Sequence, residues 1–171
     1  ISSGQESLKT ACYAFRHHFF QHAVFRYVIA DAPAIQHDSH YETDKLLSEY
    51  AEFHYGDEYF GVPNFPKALA ELAIAAMGGK PARKALDLGC ASGRGTFELA
   101  RHFDDVTGID FSARFIGQGV QLAGQGMLRY RLTDEGVVVF YKESTLTGIV
   151  FDTVRHKGKF YKGDACNVKA R

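Results

Sequence analysis

Apolar side chains recur along this chain in distinct rhythms, and each rhythm predicts a different element. Between Tyr41 and Gly56, residues Leu46, Leu47, Tyr50, Phe53 and His54 return at helical spacing, with Thr43 or Asp44 placed to cap the start and Gly56 the end. Asn64-Phe65-Pro66 opens a second helix reaching about Met77, since proline is tolerated in a first turn, and Gly78-Gly79 stops it. Apolar runs at 84–88 and 105–110 flank a helical stretch over 94–103, and another helix starts from Ser112. That alternation predicts a parallel strand–helix–strand unit with a right-handed connection. Further on, Met127–Leu132 and Val137–Tyr141 flank Thr133-Asp134-Glu135-Gly136 and predict a hairpin; Ile149–Val154 and Lys159–Tyr161, joined through His156-Lys157-Gly158, predict a second one. Nearer the start, Leu8, Ala11, Cys12, Phe15 and Phe19 suit a helix over 5–20 and Ala23–Ile29 a short strand, while 31–40 has no periodicity and reads as a linker.

Composition narrows the class without naming a function. Twenty basic residues balance twenty acidic ones, which argues against a large nucleic-acid or anionic-membrane surface. No apolar run approaches the roughly 20 residues that span a bilayer, and no signal-peptide pattern opens the chain. Cys12, Cys90 and Cys166 are odd in number and far apart, so reduced thiols and a cytoplasmic setting are the simplest reading. His17, His18 and His22 have no acid or cysteine nearby to complete a ligand set, so no metal site is expected and they read as packing or solvated histidines.

The chemistry concentrates between Lys84 and Asp110. There an apolar run ends in Asp87-Leu88, breaks into Gly89-Cys90-Ala91-Ser92-Gly93-Arg94-Gly95, and a second apolar run ends in Asp110. Glycines let backbone approach a ligand, and a carboxylate closing the next strand is placed for ribose hydroxyls, so the pattern suits a nucleoside-type cofactor at the mouth of a parallel sheet. A dinucleotide fingerprint counted from Gly89 fails, because Ala91 and Arg94 stand where glycines are needed. Cys90 within the turn reads as a small packing residue. Tyr50 and His54, four apart, share one helix face, either as an aromatic packing stripe or as substrate-facing groups.

The spacing of Asp87, Gly89, Gly93 and Gly95 resembles the first motif of class I S-adenosylmethionine-dependent methyltransferases. That resemblance implies S-adenosyl-L-methionine as cofactor, held by Asp87, Gly89, Cys90, Ala91, Gly93, Asp110 and Phe111, with Asp164 and Ala165 at the adenine edge after a third strand. More specific segments, Tyr41–Gly56, Asn64-Phe65-Pro66, Ala85–Cys90, Phe97–Phe103, Gly108–Ser112 and Gly163–Asn167, are similar to the C-terminal methyltransferase domain of ovothiol-biosynthesis enzymes, the 4-mercaptohistidine N1-methyltransferases. The leader Tyr13–Arg26 is similar to the tail of the preceding domain in those enzymes, the formylglycine-generating-enzyme-like 5-histidylcysteine sulfoxide synthase.

The resemblance implies an α/β fold: a partial class I methyltransferase (Rossmann-like) parallel sheet, with N-terminal helices and an inserted β-hairpin region. Residues 1–30 then form the synthase tail, 31–40 the linker, and 41–171 the N-terminal part of a truncated methyltransferase domain. It implies transfer to an imidazole nitrogen of 5-thiohistidine, with Tyr50 and His54 orienting the acceptor or taking its proton and Tyr41 and Tyr55 lining its site. The partner is a small molecule, with neither nucleic acid nor membrane, and the synthase domain lies upstream on the same full-length chain. Two alternatives remain open: a methyltransferase for another small metabolite, and a non-catalytic cofactor-binding remnant.

Overall fold

The computed structural model describes residues 39–133, 138–146 and 154–165. The expected helix over 5–20, the strand at 23–29, the three histidines at 17, 18 and 22, Cys12 and Cys166 lie outside them.

A short 3-10 turn, Ser39–Glu42, leads into α1 (Asp44–Tyr55), where the Thr43 hydroxyl accepts from the Leu46 N–H and Gly56 closes the end. In α2 (Phe65–Ala76) the Asn64 side chain caps Lys67 N, with Pro66 in the first turn. Then follow β1 (Lys84–Leu88), α3 (Arg94–Leu99), β2 (Asp105–Asp110), α4 (Ala113–Gln125), β3 (Met127–Thr133), β4 (Val139–Thr145) and β5 (Gly158–Lys162). The helix expected over 94–103 is shorter, ending at a cap on Ala100.

Strands β1, β2 and β5 form one parallel sheet in that order, and β3 pairs antiparallel with β4 in a separate two-stranded ribbon. This is the Rossmann-like α/β architecture expected, with a hairpin inserted between α4 and the third parallel strand. The run Lys159–Tyr161 lies in β5, parallel to β2, with Gly108 opposite Phe160, and so forms the third strand expected before Gly163. Parallel pairing carries the Phe160 ring over Gly93 and Gly119, where any Cβ would lie within 2.5 and 2.8 Å of it, and onto Phe97 at a ring separation of 5.3 Å. Residues 149–153 lie outside the described segments, and Val154 belongs to a helical turn. The first hairpin stands, but its second strand runs to Thr145 rather than stopping at Tyr141.

Side chains on one sheet face, Ala85, Val106 and Phe160 among them, join the core with Phe97, Ala100, Leu122, Leu128, Tyr130 and Leu146. Leu86, Leu88 and Tyr161 on the other face are exposed. The core also takes in Ala51 and Tyr55, so it gathers α1, α3, α4, the sheet and the hairpin. The buried side of α1 is therefore Leu47, Ala51, His54 and Tyr55, whereas Phe53, placed on the apolar stripe by spacing, is 51% exposed. Among the described residues no helix is long and apolar enough to cross a membrane.

Candidate cofactor-binding site

The turn after β1 is pinned to the end of β2 by backbone bonds: Gly89 N–H and Cys90 N–H both donate to the Ile109 carbonyl, at 2.8 and 3.1 Å. Gly89 and Gly93 take φ of +76° and +88°, conformations that glycine enters without steric cost. Their surroundings differ. Nothing lies within 4 Å of where a Gly89 Cβ would stand, so the turn is open there; at Gly93 the space is filled by Phe160, so that glycine serves helix–sheet packing. Ala91 is held at φ +43°, an uncommon conformation for a residue with a Cβ, and its N–H donates to Asp110 Oδ2 at 2.9 Å.

Asp110 is 6% exposed, and its other oxygen accepts from Ser112 N–H at 2.9 Å. Two backbone donors thus fix the carboxylate in one orientation, and each oxygen keeps a lone pair for a further donor. Asp87 accepts from the Thr96 hydroxyl at 2.7 Å. Burial raises its carboxyl above the usual carboxylate range, and the neighbouring negative charge of Asp110 adds to the rise. The two acids therefore share one field under one turn. The Gly163 N–H donates to the Asp110 carbonyl at 2.8 Å, which sets Asp164 and Ala165, both exposed, just past that strand end.

Helix α1 covers this turn. Tyr50 stacks on Phe115 at 4.5 Å, and Tyr41 meets Phe111 edge-on at 5.1 Å and Phe115 at 6.5 Å. Leu47, Ala91 and Phe115 form the buried floor beneath Tyr41 and Tyr50. Burial raises the Tyr50 hydroxyl, with Tyr41 and Asp110 adding to the shift, so Tyr50 lies within the field of the strand-end acid.

The surroundings of His54, Tyr55 and Cys90 define what each side chain does in the turn. His54 Nδ1 accepts from the Arg94 N–H at 3.4 Å, and burial, helped by the Arg94 charge, holds its pKa down to about 4. Its proton then sits on Nε2, so the ring is a neutral acceptor for the start of α3 and has no basic nitrogen to take a substrate proton. Tyr55 is buried, its hydroxyl donating to the Ser92 carbonyl at 2.7 Å, so it braces the turn. The Cys90 thiol packs against Gly108 under the turn and is pushed upward by burial, with Asp87 and Asp110 adding, so it contributes backbone rather than reactive sulfur.

Residues 85–151 match a methyltransferase domain. That match covers less than half of the chain. No curated protein matches significantly. Among solved structures, the chain is similar to a magnesium protoporphyrin IX methyltransferase from Synechocystis PCC 6803 with bound SAM, at 16% identity over 77% of this chain and 55% of that one, with a TM-score of 0.48. A coclaurine N-methyltransferase bound to N-methylheliamine and SAH matches at 12% identity over 68% and 27%, TM-score 0.41. A TehB-like SAM-dependent methyltransferase from Corynebacterium glutamicum matches at 28% identity over 36% and 31%, TM-score 0.28. The chain thus spans about half or less of the length of these proteins.

Pattern reading missed the residues that hold the turn in place. Ser92 is gripped twice, its carbonyl by Tyr55 and its hydroxyl through a 2.6 Å bond to Gln118 Oε1, while Gln118 Nε2 donates to the Leu47 carbonyl at 3.2 Å. Thr96 orients Asp87. No spacing rule links these positions, because each pair meets only after the sheet has formed. Among the described residues no three His, Cys, Asp or Glu side chains are grouped to hold a metal.

Proposed function

We propose that this chain binds S-adenosyl-L-methionine in the turn between β1 and α3 and belongs to an S-adenosylmethionine-dependent methyltransferase. The observation that carries the reading is the open space at Gly89 above a turn whose backbone is tied to the oriented Asp110 carboxylate. Asp110 holds the ribose hydroxyls with its remaining lone pairs, a charge-assisted contact. Gly89 and Ala91 give the backbone approach, Asp87 lies toward the methionine end, Phe111 stacks beside the adenine, and Asp164 with Ala165 faces its edge. When bound, the cofactor supplies a methyl group already activated on a sulfonium, so the protein's task is alignment and exclusion of water.

For the acceptor we propose the imidazole nitrogen of 5-thiohistidine. The segments similar to the ovothiol-biosynthesis methyltransferases support this, as do the aromatic walls of Tyr41 and Tyr50 beside Asp110, which suit a flat heteroaromatic ring. Tyr50, its hydroxyl held protonated, orients the acceptor by donating a hydrogen bond. Tyr50 and Tyr55 keep their protons near pH 7, and the His54 Nδ1 lone pair is taken by the Arg94 N–H, so none of the three is placed to serve as the base. The upstream sulfoxide synthase domain on the same chain, and a cytoplasmic setting, belong to the same proposal and rest on the leader at 13–26 and on the three dispersed cysteines.

Calorimetric titration with S-adenosylmethionine and S-adenosylhomocysteine tests the site. Saturable binding that disappears in Asp110→Ala is expected; a folded protein that takes up neither ligand refutes the cofactor assignment. Incubation with 5-thiohistidine is expected to give a product heavier by one CH2 group, and methylation of plain histidine alone would reject the acceptor.

A further inference from the structure

We infer that the inserted β3–β4 hairpin sets the position of the glycine turn, with Glu52 and Lys142 as positioning residues that act through α1. Glu52 collects three donors. Its Oε1 accepts from Lys142 Nζ at 2.7 Å and from the Tyr59 hydroxyl at 2.6 Å, and its Oε2 accepts from the Tyr130 hydroxyl at 2.6 Å. The side chains of Glu52 and Lys142 are 16% and 31% exposed, so this is a partly desolvated network rather than an isolated surface pair. Lys142 also reaches Asp57 at 3.4 Å and the Tyr59 oxygen at 3.1 Å. Gly56 makes room for the arrangement: a Cβ there would fall 2.5 Å from the Glu52 carboxyl carbon.

From this clamp the connection to the turn takes two steps. The Ser144 hydroxyl, itself 3.1 Å from the Tyr130 oxygen, donates to the Tyr55 carbonyl at 3.2 Å. The Tyr55 hydroxyl then donates to the Ser92 carbonyl inside the turn at 2.7 Å. One residue of α1 thus carries a hairpin contact on its backbone and a turn contact on its side chain. The front of α1 is tied elsewhere: Arg114 bonds the Glu42 carbonyl and the Asp44 carboxylate, and the Ser112 hydroxyl donates to the Tyr41 carbonyl at 3.4 Å. The hairpin therefore governs the rear of the helix, the end that braces Ser92 and Arg94.

The consequence for ligand affinity rests on the cofactor site proposed above; the mechanical coupling does not. Two measurements on the full chain separate them: hydrogen–deuterium exchange at the amides of residues 89–94, and calorimetric affinity for S-adenosylhomocysteine. In Lys142→Met we expect faster exchange in the turn, with β2 and α4 unchanged, and binding weaker by roughly tenfold. Lys142→Arg, which keeps the charge and donors, is expected to restore both, and the milder Ser144→Ala to shift turn exchange in the same direction. Unchanged exchange at 89–94 in Lys142→Met and Ser144→Ala overturns the coupling, as does a uniform loss of protection across β2 and α4. If the wild-type chain binds no S-adenosylhomocysteine, the cofactor reading fails, and turn exchange alone decides the coupling.

Discussion

The His54 imidazole is stable in this fold only as a neutral acceptor, and that has a measurable sign. Its pKa falls from 6.5 to about 4 on folding, so between those values the unfolded chain binds more protons than the native one. Stability from this group is fully present above pH 6.5 and is lost as pH falls toward 4, by up to about 3 kcal/mol. Unfolding midpoints of wild type and His54→Gln measured from pH 7.5 down to 4.5 (roughly the window set by those pKa values) are expected to converge at the acid end. The raised carboxyl of Asp87 titrates in the opposite sense and is common to both proteins, so it leaves the difference intact. The two left-handed glycines of the turn give a second contrast. Gly93→Ala meets both a positive φ and the Phe160 ring, and should lose about 2–4 kcal/mol in a denaturant titration. Gly89→Ala meets only the positive φ, and should cost about 1 kcal/mol of stability while occupying the open space over the turn. A Gly89→Ala protein that binds S-adenosylhomocysteine as well as wild type would contradict the cradle.

At the scale of elements, α1 shows why spacing alone selects the wrong rings. Phe53 and Tyr55 lie two residues apart on different sides of the helix, and both are aromatic. Tyr55 turns into the core because its hydroxyl finds the Ser92 carbonyl there, a partner supplied 37 positions later in the chain. Phe53, without such a partner, leans on the exposed Phe65 ring at 6.1 Å. Tyr55→Phe, which strips a buried carbonyl of its donor, is expected to cost about 1–3 kcal/mol, whereas Phe53→Ser should stay within about 0.5 kcal/mol; thermal unfolding of the pair checks the contrast. The β5 strand carries the complementary lesson. His156-Lys157-Gly158 has the composition of a hairpin turn, yet local chemistry does not specify which strand a short run joins. The fit of Phe160 over Gly93 and Gly119 decides it.

Among the described residues, apolar surface is unevenly distributed. Phe65, Leu69 and Leu72 of α2 recur along one helix face and are exposed, as are Leu86 and Leu88 of β1. A helix this apolar is ordinarily covered, and a parallel sheet is ordinarily covered on both faces. Exposed apolar patches promote association. Leu72→Glu is therefore expected to lower concentration-dependent light scattering while leaving the unfolding free energy within about 0.5 kcal/mol of wild type. Equal scattering from the two proteins would show that this face contributes nothing to association.

Periodicity, caps and glycine punctuation determined by themselves the helices α1, α2 and α4, the strands β1 and β2, and the acid-ended runs around the turn. Those features are local: a cap bonds within three residues, and an apolar run marks its own element. Only tertiary structure decided which neighbour β5 pairs with, that His54 and Tyr55 bond the turn at Arg94 and Ser92, and that Ser92, Thr96, Gln118 and Glu52 hold it in place. Each of those outcomes depends on a partner 9 to 90 positions away, reached through sheet pairing and packing, and no pattern along the chain encodes such a meeting.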